Sequence, residues 1–229
     1  MKKKRSQLLR DLIAPNPDIE SIFFRLKVIL NDLPDIDKTV QIKKWIDNEL
    51  SGYPNSTLLP EYRIMKGTPQ GTYITNYTHQ FSNATVPIRL SNMPLKDIEH
   101  WEIINITNPI KDIQNMIKQD KPVGRAIPTE LLHLYSTDEF QMLGVTMQLA
   151  PSQLFTIETT VKRKLTEIIL ELEKEFVDID ELDISEEISM NPQKTEQVIQ
   201  NLFTTITDQS INIGDNNEIK KSRLGFFKK

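Results

Sequence analysis

Apolar and polar positions alternate along the chain with two distinct periods. Residues 5–13 place Leu8, Leu9, Leu12 and Ile13 on one side of a short amphipathic helix, and Pro15 and Pro17 stop it. Asp18 can then cap a second helix, whose Ile19, Ile22, Phe23, Leu26, Leu30 and Leu33 recur at helical spacing until Pro34. A third helix is expected from about Thr39 to Leu50. Ile42, Trp45, Ile46 and Leu50 face inward there, Lys43, Lys44 and Asp47 face outward, and Gly52 follows as a left-handed C-terminal cap. Three helices with short connections predict an N-terminal bundle.

After Tyr53 the period shortens. "YRIMKGTPQGTYIT" carries two β-prone runs about a Thr-Pro-Gln turn between Gly67 and Gly71, so a hairpin is expected there. "ATVPIRL" reads as a short strand with Pro87 at an edge or a strand start. Residues 95–118 read as two shorter helices split by Pro109, "KPVGRAIP" as a loop, "TELLHLYS" as a helical turn or two, and "EFQMLGVTMQLA" as a strand. From Ser152, a candidate cap, the longest helix runs to 176. Ile157, Val161, Leu165, Ile168, Leu172 and Phe176 form its apolar stripe; Glu158, Lys162, Lys164, Glu167, Glu171 and Lys174 cover the remainder. An acidic linker or short helix follows, then a helix over 192–207 and a tail of different composition. The class is α+β and mostly α-helical: an N-terminal helical bundle, a small antiparallel β-hairpin or sheet in the middle, and a long helix in the C-terminal half.

Composition narrows the chemistry. The 229 residues suffice for a sizeable core, and the absence of Cys removes disulfides, thiolate metal sites and thiol nucleophiles. His79, His100 and His133 share no ligand spacing, and the acidic run Asp178–Glu187 lacks the glycine and terminal glutamate of a calcium loop. No metal and no cofactor is expected, and the acidic run reads as a solvated linker. "GTPQGT" has no Walker lysine. The basic start is interrupted by Arg10 and Asp11 before any signal-like apolar core forms, and no run approaches the roughly 20 apolar residues of a membrane span. A cytoplasmic protein is expected. Its net charge is −4. Contact with nucleic acid or an anionic membrane would therefore need a local patch, for which Lys2, Lys3, Lys4 and Arg5 at one end and Lys220, Lys221, Arg223, Lys228 and Lys229 at the other are the candidates.

One stretch stands apart. In "WIDNELSGYPNSTLLPEYR", Asp47 and Glu49 sit at a helix C-terminus, where the macrodipole is already negative. An arginine arrives a few residues later. Arg63 is expected to return and pair with Glu49, with Tyr53 and Tyr62 packed about the pair, joining the helical bundle to the hairpin. The opposing possibility is an active site for a nucleotide-directed hydrolase, assembled from Asp47, Glu49, Arg63 and the tyrosines.

This stretch, with the "GTPQGTY" that follows, resembles the signature of the AbiTii domain, a bacterial domain associated with abortive infection and anti-phage defence. The matching positions are Trp45, Glu49, Leu50, Gly52, Tyr53, Pro60, Tyr62, Arg63, Gly67 and Gly71. "VKRKLTEIILELEKEF", with Arg163, resembles the family's later helix. The resemblance spans about residues 5–178. It implies an AbiTii-like domain over 1–178, with 179–209 as acidic linker and helix and 210–229 as a basic tail. It implies a defence role but supplies no catalytic residues; a non-enzymatic interaction or effector module is the expectation. "INIGDNNEIKKSRLG" in the tail is similar to β-solenoid turns. A single such rung cannot bury its own apolar face, so it is expected to be disordered, to dock on the body, or to stack with another chain, which would make an oligomer. The expected partners are a second copy of the chain, as a homo-oligomer, and/or another defence-system protein.

Overall fold

The structure, a computed structural model, describes residues 5–120, 122–177 and 179–207. The solenoid-like tail, Lys2, Lys3, Lys4 and the five C-terminal basic residues lie outside them.

Helices α1 (Gln7–Leu12), α2 (Ile19–Asn31) and α3 (Asp37–Ser51) form where the helical period places them. Asp18 caps α2 by accepting the Ser21 N–H at 3.2 Å. The long helix α7 (Pro151–Glu175) is the spine of the molecule. Its buried Leu154, Ile157, Val161, Leu165, Ile168, Ile169 and Leu172 pack against α1, α5 (Ile110–Gln119) and α9 (Pro192–Thr207). Pro151 opens α7, so the cap position is Ala150 and not the expected Ser152. The Gln153 side chain reaches back to accept the Ala150 N–H at 2.9 Å, and a proline costs nothing at a helix's first position.

Lys164 and Glu158, expected on the solvent side of α7, are buried. Lys164 is 2% exposed, and its ammonium donates to the Thr205 carbonyl at 2.5 Å, at the last turn of α9. A cation is favoured at that end of a helix, and its long apolar stem fills the packed interface on the way. Glu158 accepts from Gln114 of α5 at 3.0 Å and pairs with Lys162.

The β structure differs from the expectation in connectivity. Strands β1 (Ile64–Lys66) and β2 (Thr68–Thr75) do not pair with each other. Instead β1 pairs antiparallel with β4 (Ile103–Asn105), which lies between α4 (Leu95–Glu102) and α5. Thr-Pro-Gln runs inside β2. The hairpin turns later, at Asn76 and Tyr77, both at positive φ, and returns as β3 (His79–Thr85). "ATVPIRL" supplies only the end of β3; Pro87 then starts a 3-10 turn at Ile88–Leu90.

The four-stranded antiparallel sheet has the order β3-β2-β6-β5, with β5 at Val123–Ala126 and, after α6 (Thr129–Tyr135), β6 at Phe140–Leu149; α8 (Ser185–Met190) lies between α7 and α9 in the chain. Thus "KPVGRAIP" holds a strand, bracketed by prolines; an edge strand needs a ladder on one side only. The core is continuous, from Leu8 on α1 through Met147 on β6 to Leu202 on α9. The expected class stands: α+β, mostly helical, with small antiparallel sheets.

Candidate functional site

The peculiar stretch folds back on itself. Helix α3 delivers Trp45 and Glu49 on its inward face and ends at Gly52, whose φ is 88°. A Cβ at Gly52 would lie 2.8 Å from the Thr107 carbonyl oxygen, so close passage of the β4–α5 connection demands glycine. Tyr53 follows, donating its N–H to that same carbonyl at 2.8 Å. Pro60 then begins a 3-10 turn over Glu61–Arg63, with the Arg63 N–H bonded to the Pro60 carbonyl at 2.9 Å. That turn aims Arg63 inward.

Glu49 and Arg63 are each 0% exposed. The guanidinium grips the carboxylate with two donors, Nη2 to Oε2 at 2.5 Å and Nε to Oε1 at 3.1 Å. Oε1 also accepts the Tyr53 hydroxyl at 2.8 Å and the Tyr62 hydroxyl at 2.7 Å. Tyr62 in turn accepts the indole N–H of Trp45 at 2.9 Å. The third guanidinium nitrogen, Nη1, donates to the carbonyls of Ile106 and Asn108 at 3.0 and 2.8 Å. The Tyr53 ring lies under the cation at 4.9 Å, and Trp45 meets Phe23 of α2 edge-on at 5.4 Å.

The electrostatics follow from burial. Desolvation, with the Glu49 charge second, pushes both phenols far above their ordinary value, so Tyr53 and Tyr62 are fixed donors to the carboxylate. Burial opposes the Arg63 charge, but the adjacent carboxylate and its hydrogen bonds outweigh that and raise the guanidinium's pKa further. One ion pair thus ties three pieces of chain: α3, the 61–63 turn leading into β1, and the segment leaving β4.

The other signature residues lie apart from this cluster. Gly71 sits inside β2, where a Cβ would come 1.8 Å from the Gly144 oxygen of β6. Gly67 links the two sheets and donates its N–H to the Glu102 carbonyl at 2.7 Å. Arg163 is on the outer side of α7, paired with Glu167 at 2.9 Å, both half exposed. Asp47 pairs at the surface with Lys27 of α2. Of the basic terminal residues, Arg5 alone is described, and it is bound to Glu173 at 2.8 Å.

Sequence reasoning missed the carbonyls of Ile106 and Asn108, which carry no side-chain signal. It also missed the acidic run as a set of backbone acceptors. Asp180 accepts the Gln7 N–H, Asp183 the Ser185 N–H and Glu187 the Val177 N–H, so these carboxylates are spent inside the fold. Among the described residues, no group of three or more His, Asp or Glu side chains is placed to hold a metal ion, and no helix is long and apolar enough to cross a membrane.

Fold and site together define a mostly helical α+β domain whose conspicuous charged signature is turned inward. The AbiTii family model matches residues 6–201, and the chain belongs to that family. The match takes in the signature and reaches into α9, and the family's name associates the chain with abortive infection. No curated protein and no solved structure matches significantly.

Proposed function

We propose that this chain is a non-enzymatic interaction or effector module of a bacterial abortive-infection, anti-phage defence system. It acts in the cytoplasm, as a homo-oligomer or with another protein of the same system. Membership of the AbiTii family supplies the context. The observation that carries the non-enzymatic reading is the sealed Glu49–Arg63 pair. A nucleotide-directed hydrolase built on these groups would need them to face a substrate. Here they face each other, and both carboxylate oxygens are occupied.

A phage-challenge assay on Glu49→Gln, Arg63→Met, Tyr53→Phe and Tyr62→Phe, with folding followed in parallel, tests this reading. Protection should fall in step with the folded fraction. A variant as stable as the wild type but without protection would contradict it and favour the hydrolase.

A further inference from the structure

Helix α1 has only six residues, too few to hold a helical state alone. The amides at its N-terminus are nevertheless engaged, three of them by carboxylates at the far end of the domain. Glu173 of α7 accepts the Ser6 N–H at 2.7 Å and the Arg5 guanidinium at 2.8 Å. Asp180 accepts the Gln7 N–H at 2.8 and 2.9 Å and the Leu8 N–H at 3.4 Å. Ser6 itself accepts the Leu9 N–H at 3.1 Å. Beneath, Leu8, Leu9 and Leu12 are buried against α2 and α7. Beyond α1, the stretch from Ile13 to Asp18 is mostly exposed and carries Pro15 and Pro17.

The segment that supplies Asp180 is itself loaded. Leu182 has φ of 59°, a left-handed conformation that costs a leucine free energy a glycine would not lose. That segment is held by the burial of Ile179 and Ile184 and by the Ile184 N–H on Asp32 at 3.0 Å, at the end of α2. Strain on one side therefore meets a short helix on the other, with charge-assisted hydrogen bonds between them.

We propose that α1 and residues 179–184 form a clasp that opens as one unit while α2, α7 and the sheets remain folded. Opening frees the strained leucine and lets α1 melt together with its carboxylate partners. It uncovers the apolar surface of α2 and α7 that Leu8, Leu9 and Leu12 cover. Such sub-global openings are drawn from short elements of low local stability.

Native-state hydrogen exchange on the full chain tests this. In the wild type, the amides of Arg10 and Ile13, bonded within the α1 turn, should exchange together with that of Leu182 and faster than the α7 core. In Glu173→Gln or Asp180→Ala, α1 should exchange about tenfold faster or more, with α7 unchanged, since hydrogen bonds to charged groups are being removed. Asn55→Ala, outside the clasp, which removes the acceptor for Thr57, should leave α1 at the wild-type rate. The chain has no cysteine, so a thiol placed at Leu9 gives a second readout that needs neither carboxylate variant. Leu9→Cys should be labelled faster than Leu165→Cys in the middle of α7. Exchange of α1 at the rate of the α7 core would overturn the proposal. So would unchanged α1 exchange in both carboxylate variants, or equal labelling of the two thiols.

Discussion

At the residue scale, the signature is a problem in satisfying a buried charge. A carboxylate at the C-terminus of α3 opposes the helix dipole and is cut off from water; alone it would be untenable. Arg63, Tyr53 and Tyr62 together supply four hydrogen bonds to it. The tyrosines are not equivalent, because Tyr62 also accepts from Trp45. Tyr53→Phe removes one donor to a charged group, about 1.5–3 kcal/mol. Tyr62→Phe removes a donor and also orphans the indole N–H, so urea denaturation should show the larger loss for Tyr62→Phe. Their ionisation gives a second expectation. A phenol whose pKa is raised in the folded state contributes stability that is present below its unfolded value near 10 and lost as pH rises through the folded value. Spectrophotometric titration should therefore show Tyr53 and Tyr62 ionising only as the protein unfolds. The pairing was legible in the sequence because all its side chains lie within one short stretch. The Ile106 and Asn108 carbonyls were not, since every residue has one.

At the scale of elements, helices were read well and strands less so, for reasons visible in particular residues. In β6, Phe140 and Met142 point inward, and then Val145, Met147 and Leu149 do. The parity slips by one because a bulge leaves Leu143 half exposed between the Thr72–Gly144 and Tyr73–Met142 pairs. On the other side of β2 a matching irregularity sets Ser82 and Asn83 against Thr72, with Asn83 at φ of 52°. Gly71 must lack a side chain because β6 passes so close that a Cβ would overlap the Gly144 oxygen, while Gly144 need not. A Cβ on Gly144 would meet nothing within 4 Å. Gly71→Ala should thus cost more than ~3 kcal/mol or prevent folding, whereas Gly144→Ala should stay within about 1 kcal/mol in thermal or denaturant melts. The hairpin was misplaced because Gly-Thr-Pro-Gln-Gly has turn composition, yet its glycines serve close backbone approach. Lys164 was missorted because periodicity counts every lysine as solvent-facing; a lysine whose head reaches a helix C-terminus escapes that rule.

At the scale of the molecule, α1 and the segments that follow α7 are fastened by carboxylates whose pKa values are depressed. Burial works to raise Glu173, but Ser6 and Arg5 outweigh it; hydrogen bonding from Lys174 and then Lys194 lowers Glu175; Gln7 and then Arg25 lower Asp11. Depressed carboxylates contribute stability above their unfolded values, about 4, and lose it as pH falls through the folded ones. The melting temperature should hold from about pH 7 to about 5 and fall below about 4, and Glu173→Gln should flatten that acid limb. Through the buried Glu49–Arg63 pair, the family signature is an architectural latch joining α3, the approach to β1 and the exit from β4. A double-mutant cycle in urea on Glu49→Gln and Arg63→Met tests it most directly. Each single change should cost roughly 3–5 kcal/mol by stranding the other partner, and the double change should cost clearly less than their sum. Single variants as stable as the wild type, or strictly additive losses, would contradict the latch.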